Sequence, residues 1–174
     1  MEAAQVIDAI KAAFPLGPLP EMSLHQGWLA DQTMDREIPE EEWSAAGKAD
    51  AGRNWMDFKD TELMARDEAL AHLDEAAFVY YLPAFLLFAV RHCNSDFSDS
   101  AAPLVGTTVF SVTHFSSYSL GRYKRLDVAQ REAVIAFLEF IAAHADKYQQ
   151  EQASKALAVY WKTDEASKPL IIIP

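Results

Sequence analysis

The stretch DEAAFVYYLPAFLLFAVRHC at residues 74–93 constrains this chain more than any other. Between Glu75 and Arg91 it runs fifteen residues without a charge, although 24% of the chain is charged, and Pro83 sits in its middle. As one helix those residues reach about 22 Å, short of the roughly 30 Å hydrocarbon core of a bilayer. Tyr80 and Tyr81 would also lie at mid-depth, away from the interface that tyrosine prefers. A membrane span is therefore excluded. A helix that is apolar all round must instead be buried on all sides. Residues 83–92 are predicted as the central helix of the domain, with Phe85, Leu86 and Phe88 close to fully buried. Asp74 can cap a helix at 75–82. Pro83 then either opens a second helical segment or lies inside one kinked helix, and both readings stay open.

Helical spacing recurs on either side. Val6, Ile7, Ile10 and Phe14 define an amphipathic helix over 3–14, stopped by PLGPLP at 15–20. A helix over 22–34 presents Leu24, Trp28 and Leu29, and Gly27 weakens it. Pro39, followed by Glu40, Glu41 and Glu42, reads as a helix start, because acids there meet the positive end of the helix dipole. Residues 60–72 are helical, with Leu63, Met64, Ala69 and Leu70 inward. Asp127 and Gln130 form a capping box for a helix over 128–145, with Val134, Phe137, Leu138 and Ile141 on its inner face. A last helix spans 148–162, with Ala153, Leu157, Tyr160 and Trp161 inward. The β-branched run LVGTTVFSVTHF at 104–115 reads as a short strand. PLIIIP at 169–174 is the other strand-like run, and the two could pair into a minor two-stranded β element. The expected fold is mainly α: a single domain over residues 1–174, a bundle of about six helices around a central apolar helix.

A chain of 174 residues, 51% hydrophobic, can bury roughly 70% of its unfolded surface without staples. Its one cysteine, Cys93, excludes an internal disulfide and a cysteine-rich zinc site. The opening MEAAQVIDAIKAAF has neither the basic start nor the apolar run of a secretion signal, so a cytoplasmic location is expected. Net charge is −11, and residues 1–60 carry twelve acids against five Lys/Arg. Such a surface repels phosphate backbones, so nucleic acid is not an expected partner. The basic cluster GRYKR at 121–125 reads as a solvated loop before a helix.

The strong catalytic and cofactor motifs are missing. There is no Gly-rich phosphate loop, HExxH, CxxC, GxSxG or EF-hand loop, and no cofactor is expected. His72, Asp74, His92 and Cys93 flank the two ends of the apolar helix, too far apart for the roughly four convergent ligands that zinc needs. No metal is expected. Ser116, Ser117 and Ser119 crowd near His114, but a triad needs serine, histidine and an acid in mutual reach, and loop crowding does not supply that. Trp28, Trp55 and Trp161 read as core or groove fillers. Trp43 differs, because it follows the most acidic segment. Residues 31–42 hold Asp31, Asp35, Glu37, Glu40, Glu41 and Glu42 against Arg36 alone. That run is either a solvated helix start or a contact for a basic partner protein.

Five stretches together resemble a bacterial family catalogued as domain of unknown function 6714. They are LHQGWLAD at 24–31, NWMDF at 54–58, FVYYLPAFLLFAV at 78–90, LDVAQREAVIAFLEF at 126–140 and ALAVYW at 156–161. Each is weak alone, and their order and spacing carry the likeness. The resemblance implies a small, soluble, mostly helical protein and no activity. The stretch at 100–122 fits least.

Two functions compete. The first is an acidic protein-binding module, of the immunity or regulatory type, whose contact is Asp35, Glu37, Glu40, Glu41, Glu42 and Trp43. The alternative is an enzyme or small-ligand binder with a pocket beside the central helix, using His72, Tyr80, Tyr81 and Arg91.

Overall fold

The computed structural model describes residues 1–33, 35–95 and 98–163. Ten α-helices occur among them: α1 (Ala3–Ala13), α2 (Leu24–Gln32), α3 (Glu40–Ala49), α4 (Asp60–Met64), α5 (Ala69–His72), α6 (Glu75–His92), α7 (Ala102–Thr113), α8 (Ser117–Lys124), α9 (Val128–His144) and α10 (Lys147–Ala156). A 3₁₀ turn covers Trp55–Asp57, and a π turn over Leu157–Trp161 extends α10. The mainly α single-bundle expectation holds, with more and shorter helices than the six expected.

The apolar stretch is one continuous helix. Asp74 Oδ1 accepts a hydrogen bond from the Ala77 amide at 2.8 Å and starts α6, which passes through Pro83 without a break. Proline inside a helix forfeits one hydrogen bond and crowds the previous turn, at a cost of about 3 kcal/mol. The burial of twelve α6 residues offsets that cost. Phe85, Leu86 and Phe88 have no exposed surface. α1, α7, α8, α9 and the 3₁₀ turn all pack on α6. α9 also packs on α1 and α10, and α10 lies along α7.

A second layer forms from α2, which packs on both α3 and α5. Gly27, read from sequence as a weak point of its helix, is what allows the α2–α5 approach. A Cβ there would lie 2.6 Å from Leu73 Cδ2 and 3.0 Å from the Ala69 carbonyl oxygen. Gln26 is buried and locks α2 to its neighbours. Its Oε1 accepts from the Ser23 amide at 2.8 Å, and its Nε2 donates to the Trp43 carbonyl at 3.1 Å.

Three expectations are corrected. Residues 104–115 are not a strand: 102–113 form α7, and no strand occurs among the described residues. The buried positions Leu104, Val105, Thr108, Val109 and Val112 follow helical spacing, which outweighs β-branched propensity. The threonine hydroxyls that would oppose a buried helix bond back to carbonyls. Thr108 donates to Leu104 at 2.7 Å and Thr113 to Val109 at 2.9 Å. The proposed partner strand, 169–174, lies outside the described residues. Second, 60–72 is two short helices, α4 and α5, joined by turns. Third, 121–125 is not a solvated loop. It lies at the end of α8, and Arg122 and Tyr123 are buried. No helix of the described residues is long and apolar enough to cross a membrane.

Candidate functional site

The acidic segment places its carboxylates on solvent. Asp35, Glu37, Glu40 and Glu41 are exposed, and Glu40–Glu42 form the first turn of α3 behind Pro39. Glu42 pairs with Arg36 at 2.7 Å, and that guanidinium holds the carboxyl below its ordinary range. Trp43 is half-buried. Asp31 turns the other way and meets His72 Nε2 at 3.2 Å.

The residues of the alternative pocket do not converge. His72 is engaged with Asp31 on the α2–α5 side. Tyr80 lines a groove of about 550 Å³ with Trp55, Phe14 and the proline-rich loop after α1. Tyr81 is buried edge-on against Phe58, and burial pushes its hydroxyl up to about 12. Arg91 sits at the far end of α6, where it and His92 both pair with Asp60.

The other sequence candidates have local partners. His72 and His92 pair with different aspartates, Asp74 caps α6, and Cys93 is buried. Among the described residues no group of three or more His, Cys, Asp or Glu side chains is placed to hold a metal ion. The serines near His114 start α8: Ser116 Oγ accepts from the Ser119 amide at 3.1 Å. The His114 ring stacks on Phe110, 4.7 Å between centroids.

Two further hollows lie on the two sides of α7. Between α7 and α10 runs an apolar groove of about 430 Å³, floored by Val105, Gly106 and Val109. Phe110, 58% exposed, and Tyr148, 70% exposed, stand at its walls. Asp146 is the one charged residue lining it among the described residues. Phe110 is also a wall of a second hollow, a notch of about 250 Å³ between α7, α8 and the turn before α5. This notch is lined by Asp67, Glu68, Ser116, Ser119 and Arg122 among others. Partial desolvation, then the charges of Asp67 and Asp31, raise the Glu68 carboxyl above its ordinary value. Arg122 packs against both Phe78 and Tyr118, its Cζ 4.3 Å from each ring centroid.

Sequence reasoning missed both hollows because it read 104–115 as a strand and 116–125 as loop. The signal was present. On a helix Tyr118 and Arg122 stand four apart and must share a face. Likewise Gly106 and Phe110 share one face of α7, a gap beside a bulky ring.

No curated protein matches the chain, and no solved structure matches it. Residues 2–165 match the profile described as "Family of unknown function (DUF6714)", which spans nearly the whole chain and all of its described helices; the protein belongs to the DUF6714 family.

Proposed function

We propose that the protein is a binding module that holds an apolar, cationic segment of a partner protein in the α7–α10 groove. The observation that carries this reading is the groove itself, with two large exposed aromatics beside an apolar floor. Exposed apolar concavities with aromatic walls are the usual anchor sites of interfaces, where Tyr and other aromatics are enriched. Charge selects the occupant: the groove offers Asp146 and no basic side chain among its lining, and the chain carries −11 overall. The acidic segment serves the same partner at longer range. Asp35, Glu37, Glu40, Glu41 and Glu42 steer a basic surface toward the protein, and half-buried Trp43 adds an aromatic contact beside them. A cytoplasmic immunity-type or regulatory protein of bacterial origin is the setting this reading suits.

The test uses synthetic amphipathic peptides of one apolar pattern and three charge patterns: cationic, neutral and anionic. Fluorescence anisotropy should show the cationic set binding and the anionic set not. In stopped-flow measurements, Glu40→Gln with Glu41→Gln and Glu42→Gln should lower the association rate and flatten its salt dependence, with the dissociation rate nearly unchanged. Binding that ignores peptide charge, or none to any peptide, contradicts the reading.

A further inference from the structure

Arg122 is 4% exposed and has no ion-pair partner among the described residues. A guanidinium carries five N–H donors. Nη1 donates to the carbonyls of Leu70 at 2.9 Å and Ala71 at 3.4 Å, and Nε is buried with no partner at all. Phe78 and Tyr118 each hold a ring against the Arg122 Cζ, a contact that uses no N–H. The carbonyls it meets belong to α5, a helix of only four residues. The negative end of so short a helix offsets little of a full charge. Burying a cation without an anionic partner is costly, and an anion reaching it recovers part of that cost.

Arg122 lines the notch beside α7, and the same notch carries Asp67 and Glu68. They are neighbours in sequence and line one wall, and the negative charge they share favours a cation there. One small cavity therefore presents a buried guanidinium with no carboxylate partner and, beside it, two carboxylates, half-buried Asp67 and exposed Glu68. A phosphate would meet Arg122 and be repelled by the acids. A simple amine would satisfy the acids and leave Arg122 bare. At about 250 Å³ the notch is smaller than a drug-sized pocket.

We infer that this notch binds a small zwitterion of the free α-amino acid class, its carboxylate on Arg122 and its ammonium on Asp67 and Glu68. The Ser116 and Ser119 hydroxyls at the start of α8 line the same space and add polar contacts. This site is separate from the α7–α10 groove, with Phe110 as their shared wall, and it stands whether or not the groove holds a peptide.

The full chain, ¹⁵N-labelled, is titrated with each of the twenty amino acids and with acetate, methylamine and phosphate as single-charge controls. The readout is the Arg122 Nε–Hε resonance. At least one amino acid should saturate it with Kd of about 1 mM or tighter, and every control should bind at least about tenfold more weakly. Asp67→Asn with Glu68→Gln, both away from the core, should weaken amino-acid binding about tenfold or more while leaving the melt unchanged. Arg122→Gln should abolish binding; should that variant fail to fold, the acid variant decides alone. The inference is overturned if no amino acid moves the resonance at about 10 mM, if phosphate or acetate binds as tightly, or if the acid variant binds unchanged.

Discussion

Gly27 shows how one missing methyl sets the position of a helix. Gly27→Ala places a Cβ 2.6 Å from fully buried Leu73 and 3.0 Å from a backbone oxygen, closer than a Cβ tolerates unless one of them shifts. Alanine is the better helix former by about 1 kcal/mol, and overpacking costs about 1–3 kcal/mol. The account therefore expects a net loss of about 1 kcal/mol or more in urea denaturation. A gain would mean that α2 and α5 are free to separate. Glu62 supplies a residue-scale test by pH. Arg53 grips both its oxygens, at 2.9 and 3.0 Å, and the Lys59 amide adds a third bond at 3.0 Å. The paired guanidinium holds the carboxyl at about 2 against an ordinary 4.5. A depressed carboxylate stabilises the fold above its unfolded value. That contribution is lost as pH falls from about 4.5 through about 2. With a side chain 30% exposed, solvent screening limits it to about 1 kcal/mol. Glu62→Gln should thus lose less stability than wild type between about pH 5 and pH 3. Equal losses would show that the pair contributes nothing.

At the scale of elements, α6 is where sequence and structure agree most closely, and α7 is where they part. An uncharged run can only be buried, so composition alone made α6 legible, and the Asp74 and Asp127 caps were equally plain. The short β-branched run at 104–115 was ambiguous because burial on several sides blurs both the two-residue and the 3.6-residue period. Arg122 was illegible for a different reason: a basic residue in a basic cluster gives no sign that two aromatic rings will pack against it. Leu86→Ala tests the central position of α6. It should cost about 2–5 kcal/mol by denaturant melt, the range for a leucine truncated in a packed core. A cost under about half a kilocalorie would make the helix peripheral.

The whole molecule is a helical frame carrying a net charge of −11, with a hollow on each side of α7. In the proposed function the acidic segment steers and the groove holds, while the notch takes a different chemistry. The groove is the central claim, and Gly106 gives direct access to it. A Cβ at Gly106 meets only Gln149 Nε2, at an ordinary 3.9 Å, so a larger side chain enters the groove without disturbing the core. Gly106→Leu should melt no lower than wild type, since leucine favours the helix. In the anisotropy titration with the cationic amphipathic peptide, it should raise Kd about tenfold or more. A folded Gly106→Leu protein that binds this peptide with wild-type affinity would contradict the account, because the groove would then be full and the contact unaffected.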